Sequence, residues 1–169
     1  MPDAERNRVI ESWIDAHKAI LLKVARVYGA THSDREDLFQ EIALQLWHSV
    51  EAYRGDCAAT TWIYRVALNT ALAWQRKERK HGQGRQDIET VTGLLIAPSV
   101  RDPRLEWIYQ RIAELDESNR SLALLMLDGF SYREMSQILG LGESNVGMKI
   151  NRIKAALAAQ LAKEKHDGL

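Results

Sequence analysis

The stretch SYREMSQILGLGESNVGMKINRIKAAL, residues 131–157, decides the fold class of this chain. Its first part predicts a short helix, because Ser131 and Glu134 have the spacing of a capping box and Gly140 is a typical C-terminal glycine. Two short helices joined by a tight turn favour a helix-turn-helix unit that binds DNA, with an ordinary helical hairpin as the alternative. The second helix has an apolar stripe at helical spacing, formed by Val146, Ile150, Ile153 and Leu157.

The rest of the chain keeps the same helical period and shows no convincing alternating strand. Gly29 predicts the end of a first helix, and a capping box at Ser33 and Glu36 predicts the start of a second. Residues 81–103 break the periodicity with three glycines and two prolines, which predicts a flexible linker. The predicted fold is all-α, with two small helical domains at 1–80 and 104–169, the second a helix-turn-helix domain. The predicted helices cover about 3–28, 34–52, 60–80, 104–115, 119–128, 131–139 and 143–163.

Composition limits the possible functions of the 169 residues. The first residues contain no apolar run of signal-peptide type, and no stretch approaches the ~20 apolar residues that a membrane span needs. The single cysteine, Cys57, excludes an internal disulfide and a cysteine-based metal cluster. The five histidines show no metal spacing, so neither a metal nor another cofactor is expected. A cytoplasmic protein without membrane insertion is the simplest interpretation.

The charges balance over the whole chain, with 23 basic and 23 acidic residues, but they are segregated along it. Residues 72–86 hold five basic residues and one acidic residue, and residues 143–165 hold five basic and two acidic residues. Acidic residues gather instead at 34–41. Two separate basic segments indicate two contacts with nucleic acid.

A second informative stretch, residues 53–80, interleaves aromatic and basic side chains. Aromatic rings that stack on unpaired bases, beside cations that hold phosphates, are typical of single-strand binding. The alternative is that the aromatic residues belong to the core and that the basic run is a solvated helix end favoured by the helix dipole. The residues concerned are Tyr53, Trp62, Tyr64 and Trp74, with Arg54, Arg65, Arg76 and Arg79.

Together, in this order and spacing, the two stretches resemble the bacterial RNA polymerase sigma factors of the extracytoplasmic-function type. The resemblance covers about 34–80 and 104–160 and rests on the phrases DREDLFQE, YRGD…TWIYRVALN and GFSYREMSQILG. It implies a helical promoter-melting domain that binds the polymerase clamp, a linker, and a helix-turn-helix domain that reads the −35 element. The implied partners are core RNA polymerase and promoter DNA. Many members of this family are also held by an anti-sigma factor, which adds such a protein to the expected partners.

The resemblance also implies roles for individual residues. The polymerase-binding set shares one helix face by its spacing and consists of Asp37, Gln40, Glu41 and Leu44. The set for the −10 element, which includes a loop that would hold a flipped base, consists of Arg54, Asp56, Thr61, Trp62, Arg65, Asn69 and Arg76. The set for the −35 element consists of Ser144, Gly147, Met148, Lys149, Asn151 and Arg152. The sequence departs from the usual family pattern at Ala59, Gly142 and Gly147.

Two other classes of protein compete with this interpretation. A conventional helix-turn-helix regulator with an N-terminal sensor domain would explain residues 131–157 but leaves YRGD…TWIYRVALN unexplained. An enzyme is not expected, because the sequence contains no glycine-rich phosphate loop and no nucleophile elbow. The acidic neighbour Asp56 also disfavours a catalytic thiolate at Cys57.

Overall fold

A computed structural model describes residues 1–81 and 102–168 of the chain. Within those residues the secondary structure consists of seven α-helices and one short 3₁₀ turn, without a β-strand. The chain divides into two compact units, Met1–Pro103 and Arg104–Leu169. The predicted fold class, all-α with two helical domains, is thereby confirmed. The predicted linker, 81–103, lies outside the described residues except at its two ends.

The first unit is a bundle of three helices, α1 (Asp3–Tyr28), α2 (His32–Ser49) and α3 (Ala59–His81), with a 3₁₀ turn at Val50–Ala52. Each helix packs against the other two. The core consists of fully buried aliphatic side chains and one tyrosine, contributed by all three helices. They include Leu21, Val24, Leu38, Ile42, Leu46, Ile63, Tyr64 and Leu68.

Helix α1 is kinked at His17, whose backbone angles (φ −127°, ψ 19°) are not helical. The kink divides α1 into an N-terminal half, residues 3–16, and a C-terminal half that carries most of its buried residues. No proline or glycine lies between residues 3 and 28, so the two usual sequence signals of a kink are missing at this point.

The first helix ends before Gly29 as predicted, whereas the start of α2 differs from the prediction. Gly29 is extended (φ −87°, ψ 125°) rather than left-handed. It is a glycine because a Cβ there would lie 2.8 Å from Cγ of Arg35 and 2.9 Å from the Ala25 carbonyl oxygen. The capping box is formed by Thr31 and Asp34, which exchange side-chain to backbone hydrogen bonds. The prediction of Ser33 and Glu36 was therefore wrong by two residues.

The second unit contains α4 (Pro103–Ala113), α5 (Glu117–Leu127), α6 (Tyr132–Leu139) and α7 (Glu143–Asp167). The predicted capping box of Ser131 and Glu134 is confirmed, as is the glycine end of α6, since Gly140 is left-handed (φ 70°). Helix α7 packs against α5 and α6. Near its C-terminal end, Glu164 accepts a hydrogen bond from Trp107 of α4. The core of this unit includes Ile112, Leu122, Leu124, Leu125, Met135, Ile138, Val146, Ile150 and Ile153.

Candidate polymerase and nucleic-acid interfaces

The four residues of the polymerase-binding set lie on one face of α2, as their spacing predicts, and this face is largely exposed to solvent. Leu44 is 48% exposed although it is a large apolar residue. Glu41 is half-buried, and its carboxylate accepts a hydrogen bond of 2.9 Å from the side-chain amide of Gln45. The opposite face of the helix carries Leu38, Ile42 and Leu46, which are fully buried. This face therefore presents one exposed apolar side chain beside carboxylates, and it is the candidate polymerase-binding surface that the resemblance implies.

This α2 face forms one wall of a groove of about 730 Å³, and α3 forms the other wall. The groove brings together residues that the sequence assigned to different partners, because Asn69 of the −10 set lines it with all four residues of the polymerase-binding set. Trp74 and Lys77 of α3 also line it; Trp74 was one of the aromatic residues considered for single-strand binding, whereas Lys77 was not a candidate site residue. The lining residues are Asp37, Gln40, Glu41, Leu44, Gln45, Asn69, Thr70, Ala73, Trp74, Lys77 and Glu78.

The residues assigned to the −10 element on α3 lie along one side of that helix. At 100° per residue, Trp62, Arg65, Asn69 and Arg76 fall within about 60° of one another. Asn69 and Arg76 are exposed, whereas Trp62 and Arg65 are half-buried. Two predicted roles in single-strand capture fit less well, because Tyr64 is 1% exposed and Thr61 is 6% exposed. Tyr64 is a core residue.

The loop between the 3₁₀ turn and α3 comprises residues 53–58, hereafter the −10 loop. The hydroxyl of Tyr53 donates a hydrogen bond of 2.7 Å to the carbonyl oxygen of Cys57 and so closes the loop. Gly55, at its tip, is left-handed (φ 78°). Arg54 and Asp56 are exposed on either side of this glycine. The loop therefore displays one cation and one carboxylate on a tightly turned backbone.

The aromatic residues of this region pack on one another. The ring of Tyr53 lies 5.1 Å from that of Trp13 in an edge-to-face arrangement, and 5.6 Å from that of Trp62. The indole N–H of Trp62 is buried and has no hydrogen-bond partner among the described residues. Trp62 therefore contributes to packing as well as to the predicted −10 surface. Sequence analysis missed Trp13, which lies 40 residues before Tyr53 and belongs to no recognisable motif.

The helix-turn-helix consists of α6 and α7, joined by residues 140–142. The hydroxyl of Ser136 donates a hydrogen bond to the carbonyl oxygen of Leu141 and fixes the turn to α6. The apolar stripe of α7 is buried as predicted, with Val146 and Ile150 fully enclosed. On the opposite side, four of the six residues assigned to the −35 element are exposed. They are Ser144, Met148, Asn151 and Arg152.

The other two residues of the −35 set face neighbouring helices. Gly147 is half-buried, and a Cβ there would lie 3.4 Å from the ring of Tyr132 in α6. The ammonium group of Lys149 donates a hydrogen bond of 3.3 Å to the hydroxyl of Ser118 in α5. At 100° per residue, Gly147 and Lys149 therefore border the exposed face of α7 on its two sides, and four of the six assigned residues form the face itself.

The described residues contain neither a metal-binding cluster nor a membrane-spanning helix. No group of three or more His, Cys, Asp or Glu side chains in them is arranged to hold a metal ion. None of the described helices is both long and apolar enough to cross a membrane.

Comparison with known proteins finds a matching family for each of the two units. The Sigma-70 region 2 family matches residues 13–81, and the Sigma-70 region 4 family matches residues 105–157. The RNA polymerase sigma factor NccH of Alcaligenes xylosoxydans xylosoxydans is 28% identical over 156 residues, which is 88% of this chain and 84% of NccH. The ECF RNA polymerase sigma-E factor of Escherichia coli K12 is 26% identical over 141 residues, covering 73% of this chain and 72% of sigma-E.

Two solved structures share the fold. CnrH, in complex with the cytosolic domain of CnrY, has a TM-score of 0.67 and 23% identity, with 96% of both chains covered. The sigma factor RpoE of Bartonella quintana, in complex with the anti-sigma factor NepR, has a TM-score of 0.70 and 19% identity, with 92% of this chain and 96% of RpoE covered. This chain therefore belongs to the extracytoplasmic-function type of the sigma-70 family, whose members associate with core RNA polymerase and promoter DNA in promoter-directed transcription initiation.

Proposed function

We propose that this sigma factor uses three separate surfaces for polymerase binding, −10 opening and −35 recognition. The exposed face of α2 binds the polymerase clamp, the −10 loop and α3 open the −10 element, and the exposed face of α7 reads the −35 element. The first two tasks belong to residues 1–80, and the third belongs to residues 104–169. The observation that carries the proposal is the groove between α2 and α3. Asn69, which is expected to contact the −10 element, lines this groove together with the α2 residues expected to bind polymerase. This supports the proposal that bound polymerase holds the DNA strand at that point.

Polymerase binding is tested by removing the exposed apolar and acidic groups of α2 together. The double variant Asp37→Asn with Leu44→Ser should lower affinity for core polymerase by about tenfold or more, because a central apolar anchor and a charge are lost at once. Helical content should not change, since both side chains are exposed. The matched control is Asp15→Asn with Ala19→Ser, an exposed pair on α1. Unaltered polymerase affinity of the α2 double variant would contradict the assignment.

Strand opening is tested on α3. Arg65→Ala and Asn69→Ala should lower the permanganate reactivity of −10 thymines more than they lower formation of the closed complex, because they act on the unpaired strand. Arg8→Ala removes an exposed cation of α1 and serves as the control for charge alone. If both steps fell equally, the two residues would be structural or simple phosphate contacts.

Base reading in the −35 element is tested at Asn151. A side-chain amide can form two hydrogen bonds with an adenine edge in the major groove, and each such pair contributes about 1–3 kcal/mol of discrimination. Asn151→Ala should therefore reduce the preference for the cognate base at one promoter position. Ala155→Ser, one turn further along the exposed face, is the control. Uniform weakening at every −35 position would instead indicate a phosphate contact.

We also propose that an anti-sigma factor holds this chain when its promoters are silent, as NepR accompanies RpoE. The exposed α2 face is the surface that such a protein would need to cover to exclude polymerase. A pull-down with the tagged chain should therefore recover a binding protein from the source cells, and added core polymerase should displace that protein from the chain. Recovery that does not change with added polymerase would contradict this competition.

A further inference from the structure

The N-terminal half of α1 is fastened to the segment that leads into the −10 loop. Arg6 donates a hydrogen bond to the carboxylate of Glu51 in the 3₁₀ turn, and this bond is the main reason that the pKa of Glu51 lies below its ordinary value. The same guanidinium lies 4.3 Å from the ring centroid of Trp47. The indole N–H of Trp47 in turn donates a hydrogen bond of 2.7 Å to the side chain of Asn7. Residues 6 and 7 thus contact both the C-terminal end of α2 and the 3₁₀ turn that follows it.

About two helical turns later, α1 reaches the loop through Trp13. The ring of Trp13 meets Tyr53 edge to face, with an angle of 80° between the ring planes. On its other side, Tyr53 contacts Trp62 of α3. Tyr53 is therefore held between two helices, and the atom it presents to the loop is its hydroxyl, which is bonded to the Cys57 carbonyl.

The exposed part of the loop has little packing of its own. Arg54 and Asp56 are exposed, and no atom lies within 4 Å of the position that a Cβ of Gly55 would occupy. The position of the Tyr53 ring therefore determines where the Cys57 carbonyl is held, and with it the curvature of the three residues between them. Edge-to-face aromatic pairs are stabilising beyond the burial of their area, so the contact of Trp13 with Tyr53 favours one loop conformation over others.

We propose that Trp13 is a positioning residue for the −10 loop, and that the N-terminal half of α1 braces this loop in the conformation that receives the unpaired strand. Trp13 does not touch DNA in this scheme; it acts through Tyr53. The inference rests on the proposed role of the loop in −10 opening. Trp13 is the first residue of the span that matches Sigma-70 region 2. The proposal also gives a function to the N-terminal half of α1, which contributes only one residue, Ile10, to the core.

Cys57 provides a direct measurement of loop conformation in the free protein. It is the single cysteine of the chain and is half-buried, so its rate of reaction with a maleimide reports how often the loop opens. Trp13→Leu should raise this rate by about three- to tenfold, because the edge-to-face contact is lost. Trp13→Phe keeps an aromatic edge and should restore most of the protection. Tyr53→Phe, which removes only the hydroxyl, should raise the rate by a similar factor.

The same variants are then compared in complexes with core polymerase and promoter. Trp13→Leu and Tyr53→Phe should slow permanganate-detected opening by about three- to tenfold, while affinity for core polymerase stays at the wild-type value. Trp13→Phe should open the promoter nearly as fast as wild type. Wild-type opening and labelling rates in both Trp13→Leu and Tyr53→Phe would overturn the inference.

Two outcomes separate this inference from a general loss of structure and from the proposed function. If Trp13→Leu lost helical content and polymerase affinity together, and Tyr53→Phe had no effect, Trp13 would be an ordinary packing residue and the inference would fail. Arg54→Ala tests the loop's role independently. If Arg54→Ala and Arg65→Ala both opened the promoter normally while Trp13→Leu still exposed Cys57, the proposed function would fail although the brace exists.

Discussion

Gly147 lies in the second turn of α7, where a glycine lowers stability. Its φ is not positive, and a Cβ would meet the Tyr132 ring at ordinary van der Waals distance. Gly147→Ala should therefore raise the free energy of unfolding by about 1 kcal/mol, measured by urea denaturation of the whole chain. Gly147→Lys should in addition tighten −35 binding and steepen its salt dependence by about one charge. Weaker promoter binding by both variants would show that the DNA requires the bare backbone at this position.

Gly140 is the matched control, because it lies seven residues earlier and is left-handed (φ 70°). A side chain in this conformation costs about 1–2 kcal/mol, so Gly140→Ala should lower the free energy of unfolding by roughly that amount. Changes of the same sign in the two variants would mean that backbone geometry does not explain these glycines.

Gly29 is required for a different reason, namely the close approach of Arg35. A Cβ would lie within 3 Å of the side chain and the backbone nitrogen of Arg35, and crowding of this kind costs about 1–3 kcal/mol. Gly29→Ala should therefore lower the unfolding midpoint of the first unit, followed by helical circular dichroism. An unchanged midpoint would show that the α1–α2 turn can widen without cost.

The start of α2 gives a prediction about a whole helix. Thr31 accepts a hydrogen bond of 3.0 Å from the backbone N–H of Asp34, whereas Ser33 is exposed inside the first turn. Loss of an N-cap costs typically about 1 kcal/mol. Thr31→Ala should destabilise the protein by that amount in urea denaturation, and Ser33→Ala should be nearly silent. Equal effects would contradict the cap assignment.

Some elements follow from local sequence and others do not. The stripe from Val146 to Leu157 and the capping box at Ser131 were predictable, because the residues involved lie within one helix or one turn. The prediction of a capping box at Ser33 was wrong because the sequence offers two overlapping candidates. Thr31 and Ser33 both precede an acidic residue by three positions. The local sequence does not distinguish the two, and the structure shows that Thr31 and Asp34 form the box.

In the candidate site, too, some features were predictable from local sequence and others were not. The one-sided spacing on α2 and α3 could be read from the sequence, since helical period alone determines it. The stack of Trp13 on Tyr53 could not, because it joins residues 40 positions apart and depends on the path of a kinked helix. The burial of Tyr64 was also hidden, because aromatic residues suit a core and a base-stacking surface equally well.

Across the whole molecule, 23 basic residues are balanced by 23 acidic ones, so little long-range attraction draws the free protein to DNA. Specific contacts must then carry the salt dependence of −35 binding. Arg152→Ala should reduce the slope of log affinity against log salt by about one. Lys149→Ala is the control and should change the slope less, because that ammonium group already bonds to Ser118. Equal slopes for the two variants would place Lys149 on the phosphates as well.

The separation of the two sides of α7 has a consequence for how new promoter preferences arise. Ser144, Met148, Asn151 and Arg152 are exposed, while folding relies on the buried stripe behind them, and substitutions at exposed positions away from special features usually change stability by less than about 0.5 kcal/mol. A library randomised at these four positions should therefore yield mostly folded proteins. Such variants would be starting points for orthogonal transcription circuits, in which each sigma factor activates only its own synthetic promoter.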